Sequence, residues 1–333
     1  MSTIKDVARL AGVSPSTVSR VVNGNTASAA SEETRQRIWE AVRATNYSVN
    51  SQAQKLRRPK QDEERPKQSI DCVFARGIDY FIDPFFIELI HVIEQRIFKQ
   101  GYCLRTQYGA ADMNSHLRSD KHKKDAAIIL GRVDAEILEK LKQTYRHLVY
   151  VSLQDRDLGI DSVICSGYES AGLALNYLYS LGHRRICYLG EIRDEQRYDA
   201  YQDFVAAHGL EELVVDVRFT PSDSYEGLRS ALAGGMNCTA VFCANDVSAV
   251  GVYRAARECH LSIPKDLSII SVNDIETVRY LEPMLSTIHI PIEELGAHAA
   301  SLLIDRIERG HTLPVRLYLP CQLVERDSCR KLR

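Results

Sequence analysis

The stretch GVSPSTVSRVVNG near the start of the chain holds side chains that could bind another molecule. They lie at the beginning of a short predicted helix. Pro15 and Ser16 are small, so the helix backbone could approach another molecule closely. Arg20 lies about one turn further on, and a guanidinium can donate two hydrogen bonds to the O6 and N7 atoms of guanine. These residues suit contacts to base edges. The alternative is that the segment is an ordinary capped helical hairpin without a binding role. Hydroxyl groups beside them suit contacts to phosphate: Ser14, Thr17 and Ser19.

Three short helices are predicted over residues 4–46, and they would position these side chains. Apolar residues recur at helical spacing from Ile4 to Ala11, which indicates one buried face on the first helix. Ser14 suits the N-cap of the second helix, and Pro15 suits its first position, where the missing N–H costs nothing. A helix, a turn beginning at a glycine and a second helix form a helix-turn-helix, which places the start of the second helix in the major groove of DNA.

Charge is distributed unevenly along the chain. Ten Lys and Arg against four Asp and Glu give residues 1–60 a formal charge of +6, although the whole chain carries −2. A basic head on an acidic body indicates that the head alone binds a polyanion. A surface that is merely charged is the alternative explanation.

Composition and motifs exclude several classes of protein. No run of about eighteen apolar residues could span a membrane, and the first residues lack the apolar stretch of a secretory signal. Nine cysteines without C-x-x-C spacing indicate reduced thiols in the cytoplasm. The sequence motifs of phosphate-binding loops, zinc proteases and serine hydrolases are absent, so we expect no enzyme, no cofactor and no metal. The segment DKHKKD at 120–125 is interpreted as a charged loop.

The rest of the chain has the pattern of a linker followed by a large α/β body. Residues 51–68 are rich in polar, basic and proline residues. From residue 69 onward, short β-rich runs such as DAAIILG and DLSIISV alternate with amphipathic helices, which predicts parallel sheets covered by helices. A body of this size favours two lobes, and the cleft between two lobes is the usual place for a small-molecule site.

Several motifs together resemble the LacI/GalR family of bacterial transcription regulators. They are TIKDVARLAGVSPSTVSRVVNG and AQKLRR near the start, and LGHRRICYLG, VFCANDVSAVGVYRAA and IPKDLSIISVNDI further on. The resemblance implies a helix-turn-helix headpiece over residues 1–50, a hinge helix and linker over 51–68, and a two-lobed body over 69–333 that is similar to a periplasmic sugar-binding protein. Lobe 1 would hold about 69–164 and 289–318, and lobe 2 would hold about 165–288 and 319–333.

The resemblance also implies roles in DNA binding. Residues that match Pro15, Ser16 and Arg20 face bases in this family, and Leu56 would insert into a minor-groove base step where two hinge helices pair. A small contact within the linker is the alternative role of Leu56. Its basic neighbours would neutralise phosphate: Lys55, Arg57 and Arg58. Because two hinges must meet, the binding unit would be a homodimer on a pseudo-palindromic operator.

In the body, the resemblance implies an effector site beside the first long helix and at the carboxyl ends of strands. Aromatic rings there could face the C–H surface of a sugar, while an arginine and amides could bind its hydroxyls. The predicted effector-binding residues are Phe85, Phe86, Arg197, Phe219, Asn245 and Asn273. The alternatives are that Phe85 and Phe86 are core residues and that Arg197 forms a surface ion pair. Asp246 is interpreted as a helix N-cap.

The predicted function is a cytoplasmic repressor of a carbohydrate-utilisation operon that a sugar releases from operator DNA. The segments SVNDI and LPVRLYLP are most similar to family members that sense galactosides. Asn273 replaces an aspartate that is common in the family, which weakens the case for a cationic effector, and the roles of Gln154 and Asp155 stay open. An activator, a response to a non-sugar effector and a sugar-transport protein are the alternatives.

Overall fold

The computed structural model describes residues 4–22, 32–45, 69–75, 83–109 and 124–332. The chain divides into two compact units, Met1–Glu63 and Glu64–Arg333. The first unit is called the headpiece below, and the second unit is called the body.

The headpiece is built from three helices: α1 (Ile4–Ala11), α2 (Pro15–Val22) and α3 (Glu32–Thr45). Apolar side chains from all three helices meet in one buried core because they recur at helical spacing. The members of this core are Val7, Ala8, Ala11, Val18, Val21, Ile38 and Ala41. The helix-turn-helix predicted from the sequence is confirmed.

Local chemistry forms the turn between α1 and α2. Gly12 has a φ of +66°, a conformation that a residue with a side chain rarely adopts. The Ser14 hydroxyl accepts a hydrogen bond from the N–H of Thr17 at 3.1 Å, so Ser14 caps α2 as predicted. Pro15 then occupies the first position of the helix. These residues fix where the second helix begins.

The body alternates strands and helices along the chain, as the sequence pattern predicts. Its strands are β1 (Ser69–Phe74), β2 (Cys103–Gly109), β3 (Lys124–Leu130), β4 (Tyr145–Ser152), β5 (Asp161–Ile164), β6 (Ile186–Gly190), β7 (Leu213–Asp216), β8 (Ala240–Cys243), β9 (Ser268–Asn273), β10 (Ser286–His289), β11 (Arg316–Tyr318) and β12 (Gln322–Val324). Its helices are α4 (Pro84–Lys99), α5 (Ala135–Thr144), α6 (Gly167–Ser180), α7 (Gln196–His208), α8 (Pro221–Ala233), α9 (Asp246–Glu258) and α10 (Ile292–Ile307).

Two six-stranded sheets organise the body. Sheet 1 has the order β11–β5–β4–β3–β1–β2, and all of its neighbouring strands pair in parallel. Sheet 2 has the order β12–β10–β9–β8–β6–β7, and β12 is antiparallel to β10 whereas the other pairs are parallel. Parallel strands are covered on both faces, which explains why β8 and β9 are buried at every residue.

Lobe 1 is the part of the body around sheet 1, and lobe 2 is the part around sheet 2. The chain passes from one sheet to the other after β5, after β10 and after β11. Three connections therefore link the lobes, and the carboxyl ends of parallel strands from both sheets contribute to the site described next.

No helix within the described ranges is long and apolar enough to cross a membrane. The same residues contain no cluster of three or more His, Cys, Asp or Glu side chains that could hold a metal ion.

Candidate functional site

A cavity of about 750 Å³, part of it open to solvent, lies in the body beside the carboxyl ends of strands from both sheets. Three lining residues, Phe74, Ser152 and Asn273, are the last residues of β1, β4 and β9. Ligands of α/β proteins commonly bind at this edge of a sheet. The structure brings all six predicted effector-binding residues to this cavity: Phe85, Phe86, Arg197, Phe219, Asn245 and Asn273.

Helix α4 begins beside the cavity and supplies two aromatic rings. Asp83 caps the helix, because its carboxylate accepts a hydrogen bond from the N–H of Phe85 at 3.0 Å. Phe85 is 3% exposed and packs in the main core, so it is a core residue that also lines the cavity. Phe86 is partly buried, and its ring meets Phe85 and Phe74 edge-on with centroids 5.2 and 5.9 Å apart. The cavity therefore has an aromatic wall.

Arg197 lies near the start of α7, and its ion pair is buried rather than at the surface, since the residue is 6% exposed. Its Nε and Nη2 donate to the two carboxylate oxygens of Glu195 at 2.7 and 2.9 Å, and its Nη1 donates to the Ala244 carbonyl at 2.6 Å. Burial alone would lower the pKa of Arg197, but the adjacent Glu195 carboxylate outweighs burial and raises it. Arg197 is therefore held charged and in one orientation.

A second arginine reaches the same carboxylate from lobe 1. Arg132 follows β3, and its Nη1 lies 3.2 Å from the carboxylate of Glu195. This nitrogen also donates to the carbonyls of Arg193 and Asp194 at 3.0 and 2.8 Å, and Nη2 of Arg132 pairs with Glu191. Sequence reasoning missed Arg132 as a cavity residue. The signal that could have found it is its position two residues after the carboxyl end of a strongly apolar strand.

Phe219 packs against both of these arginines. Its ring centroid lies 5.0 Å from the Cζ of Arg197 and 5.8 Å from the Cζ of Arg132, distances at which a ring attracts a cation. Both guanidinium groups are thus covered by an aromatic ring as well as paired with carboxylates. Phe219, which the sequence predicts as an aromatic residue of the site, thus lies at the cavity beside the two arginines.

The start of α9 requires one correction. Asn245 has an extended backbone and caps this helix, because its side-chain oxygen accepts a hydrogen bond from the N–H of Ser248 at 3.0 Å. The interpretation of Asp246 as the N-cap is therefore wrong. Asp246 is fully buried, and burial raises its pKa to about 7. Its carboxylate accepts hydrogen bonds from three groups: the hydroxyls of Ser271 and Thr287 and the N–H of Ile275.

Two amide side chains at the cavity have an oxygen without a partner. Nε2 of Gln154 donates to the carbonyl of Asp194 at 2.8 Å, which fixes the orientation of this amide. Its Oε1 has no hydrogen bond among the described residues, and neither has Oδ1 of Asn273. Asn273 also has a φ of +126°, which is rare for a residue with a side chain. Buried acceptors without partners are rare in native proteins, so these two oxygens are candidates to accept hydrogen bonds from a bound molecule.

The headpiece residues predicted to contact DNA are described only in part. The hydroxyl oxygens of Ser14 and Thr17 lie 2.8 Å apart, and Pro15 is exposed at the start of α2. The side chains that lie outside the described residues are those of Ser16, Ser19 and Arg20. The predicted hinge residues also lie outside the described residues: Lys55, Leu56, Arg57 and Arg58.

Sequence comparisons agree with this architecture. Residues 3–50 match the family described as bacterial regulatory proteins, lacI family, and residues 175–329 match the periplasmic binding protein-like domain. The chain is 31% identical to the HTH-type transcriptional repressor PurR of Mannheimia succiniciproducens, over the full length of both chains. It is 33% identical to PurR of Photorhabdus laumondii, over 98% of this chain and 97% of the relative.

Solved structures of similar fold include complexes with sugars. The complex of the transcriptional regulator CelR with cellobiose superposes with a TM-score of 0.69 at 25% identity, and covers 98% of this chain and 100% of its own. A LacI family regulator from Enterococcus faecium with bound ribose has a TM-score of 0.69 at 26% identity, and covers 79% of this chain and 100% of its own. The chain belongs to the LacI family of bacterial regulatory proteins and is a DNA-binding transcriptional regulator rather than an enzyme.

Proposed function

We propose that this regulator is a homodimeric cytoplasmic repressor that leaves its operator when a neutral carbohydrate binds in the cavity. The observation that carries the proposal is the division of polar groups at the cavity: the two arginines pair with carboxylates, whereas the amides of Gln154 and Asn273 keep unpaired acceptors. A ligand at such a site has to offer hydrogen-bond donors without carrying a net charge.

Charge balance is the first argument. The carboxylates of Asp83 and Glu195 and the guanidinium groups of Arg132 and Arg197 line the cavity in equal number. Glu195 pairs with both arginines, and Glu191 pairs with Arg132 as well. No unbalanced charge is left for an anionic or cationic effector to neutralise, so burial of a charged ligand would be costly.

Unpaired acceptors are the second argument. Oε1 of Gln154 and Oδ1 of Asn273 have no donor among the described residues, and each costs free energy while it stays buried without one. A sugar hydroxyl can donate to either oxygen and still accept from another group. Asn245 lines the same cavity and its oxygen is occupied in capping α9, so its amide nitrogen would donate to such a hydroxyl.

The aromatic wall is the third argument, and it also supports a second candidate. Phe86 offers a ring against which the C–H face of a sugar can pack. The similar structures that hold cellobiose and ribose support a sugar effector. A planar heterocycle such as a purine base is the second candidate, since it would stack on the same ring and its N–H groups would donate to the same two acceptors. A galactoside, which the sequence suggests, would be one ligand of the first kind, the neutral carbohydrates.

Titration calorimetry of the full-length protein tests these candidates. The panel contains cellobiose, ribose, a methyl galactoside, adenine and hypoxanthine, and we expect binding of at least one sugar. Asn273→Ala should weaken that binding about tenfold or more because it removes an acceptor, whereas Asn176→Ala, on the exposed face of α6, is the matched control. Binding of the purine bases alone would assign the second candidate and overturn the first.

A DNA-binding measurement tests the release of the operator. The protein selects duplexes from a random library, and fluorescence anisotropy then measures its affinity for the selected duplex with and without the bound sugar. We expect the selected sites to be pseudo-palindromic, as a two-fold dimer requires, and the sugar to weaken binding. A sugar that tightens DNA binding would make the protein a regulator of the opposite sense.

A further inference from the structure

Glu195 is held at the cavity by two arginines that approach it from different lobes. Nε and Nη2 of Arg197 donate to its two carboxylate oxygens at 2.7 and 2.9 Å. Nη1 of Arg132 lies 3.2 Å from the oxygen that Nη2 of Arg197 also reaches. All three side chains are buried and line the cavity. Two guanidinium groups that converge on one carboxylate form an arrangement with which proteins commonly bind the carboxylate or phosphate of a ligand.

The carboxylate in this arrangement belongs to the chain itself. Glu195 directly precedes α7, and its carboxylate also accepts a hydrogen bond from the N–H of Arg197 at 3.2 Å, which caps the helix. The side chain is therefore tied to the backbone beside it. It stays between the two arginines without help from a bound molecule.

The balance of charge at the cavity depends on this one carboxylate. Glu191 pairs with Nη2 of Arg132. Glu195 pairs with Nη1 of the same arginine and with Arg197. Two guanidinium groups thus face two carboxylates, and the ring of Phe219 lies beside both cations. Loss of the Glu195 carboxylate would leave one positive charge of this cluster buried without a partner, which is costly, and an anion from solution would lower that cost.

We propose that Glu195 determines the class of effector, because it fills the anion-binding place between Arg132 and Arg197 and so excludes ligands that carry a carboxylate or a phosphate. The inference rests on the proposed function in taking the cavity as the effector site. It goes further in naming the residue that keeps the site selective for uncharged ligands. A sugar acid would meet the like charge of Glu195, whereas a neutral sugar meets no such repulsion.

Chemical rescue tests whether the two arginines form an anion-binding place. Glu195→Ala removes a methylene and a carboxylate, which together have the size of acetate. At neutral pH we expect about 100 mM sodium acetate to raise the unfolding temperature of this variant by about 3 °C relative to sodium chloride at the same concentration. Acetamide, the uncharged counterpart of acetate, should have no such effect. The wild type and Glu212→Ala, which removes an exposed carboxylate after α7, should not respond to acetate either.

A double variant separates anion binding from helix capping. Glu195→Ala combined with Arg132→Met leaves the start of α7 as it is in the single variant but removes one of the two guanidinium groups. We expect acetate to bind the double variant about tenfold more weakly than it binds Glu195→Ala. An acetate ion that merely capped the helix would bind both variants equally.

Glu195→Gln tests the exclusion of anionic effectors directly. This variant keeps the volume of the side chain and an oxygen that can cap α7, so it also serves if Glu195→Ala does not fold, which circular dichroism shows. Calorimetry compares galacturonate with galactose, its uncharged counterpart. We expect galacturonate to bind Glu195→Gln at least about tenfold more tightly than it binds the wild type, and galactose to show no such gain.

Three results would overturn the proposal. They are a folded Glu195→Ala protein that acetate stabilises no more than acetamide does, an acetate affinity that Arg132→Met leaves unchanged, and no gain of galacturonate binding in Glu195→Gln. The acetate measurements use no effector. They therefore distinguish a failure of this inference from a failure of the proposed function, which the panel of sugars and purine bases tests.

Discussion

Arg132 and Glu195 form an ion pair that joins the two lobes beside the cavity. Their side chains approach to 3.2 Å although Arg132 follows a strand of sheet 1 and Glu195 caps the first helix after β6 of sheet 2. Nε2 of Gln154 adds a parallel hydrogen bond from lobe 1 to the Asp194 carbonyl at 2.8 Å. The lobes therefore contact each other through polar and charged side chains that line the cavity.

Replacing Arg132 tests how strongly this pair holds the lobes together. Arg132→Met keeps most of the volume but removes the ion pair and the donors to the carbonyls of Arg193 and Asp194. Because Glu195 keeps its bidentate partner Arg197, we expect a loss of about 2–3 kcal/mol in the free energy of unfolding, not the larger penalty of an isolated buried charge. Urea titration followed by circular dichroism measures this loss. Tryptophan fluorescence is not suitable for the body, because the single tryptophan, Trp39, belongs to the headpiece.

The control for Arg132 is an ion pair at the surface. Lys140 pairs with Glu136 at 2.6 Å on one turn of α5, and both side chains are well exposed. Lys140→Met should change the free energy of unfolding by less than about 0.5 kcal/mol. Equal losses for the two variants would show that the contact between the lobes contributes no more than a surface pair.

Asp246 should make the stability of the body depend on pH. Burial raises its pKa from the usual 3.8 to about 7 in the folded state, so the folded protein binds the proton more tightly than the unfolded chain does. The contribution of Asp246 to the free energy of unfolding is therefore fully present below the pKa of the unfolded chain. It is lost as the pH rises through the pKa of the folded protein. The loss approaches about 4 kcal/mol by linkage, as an upper value for this one group.

Asp246→Asn removes this titration while keeping a side chain of the same shape. The free energy of unfolding of the variant, relative to the wild type, should improve steadily between pH 4 and pH 7. Asp216→Asn, at the exposed end of β7, is the matched control. A difference between Asp246→Asn and the wild type that stays constant over this range would contradict the assignment.

The sequence predicts elements and their order well, but it predicts contacts between lobes poorly. The helix-turn-helix follows from apolar spacing and from Ser14 and Pro15, because these signals are local. Asn245 and Asp246 are adjacent and both can cap a helix, so only the backbone angles of the folded chain decide between them. The pairing of Arg132 with Glu195 joins residues on different sheets, and no local pattern indicates it. Phe85 packs in the core and also lines the cavity, whereas sequence reasoning treated these two roles as alternatives.

Phe86 should contribute to the affinity for the effector. Phe86→Ala removes the exposed part of the aromatic wall. We expect the dissociation constant of the bound sugar to rise about tenfold, because packing against a ring contributes on the order of 1 kcal/mol. Phe98→Ala is the control, since Phe98 is 74% exposed near the end of the same helix. Calorimetry measures both variants, and an unchanged affinity for Phe86→Ala would place the effector elsewhere in the cavity.

Arg20 should read a base, whereas other basic residues of the headpiece should contribute charge alone. Arg20→Ala is expected to cost about 1–3 kcal/mol on the selected duplex and much less on unrelated DNA, so that discrimination between sequences falls. Arg37, which is exposed on α3, provides the contrast: Arg37→Ala should weaken binding to all duplexes by a similar factor or not at all. Anisotropy titrations at two salt concentrations separate the cases, because the loss of a phosphate contact reduces the salt dependence of binding by about one unit of slope. If Arg20→Ala instead weakens specific and unrelated DNA equally, Arg20 contacts the backbone and the base contacts must come from other residues of α2.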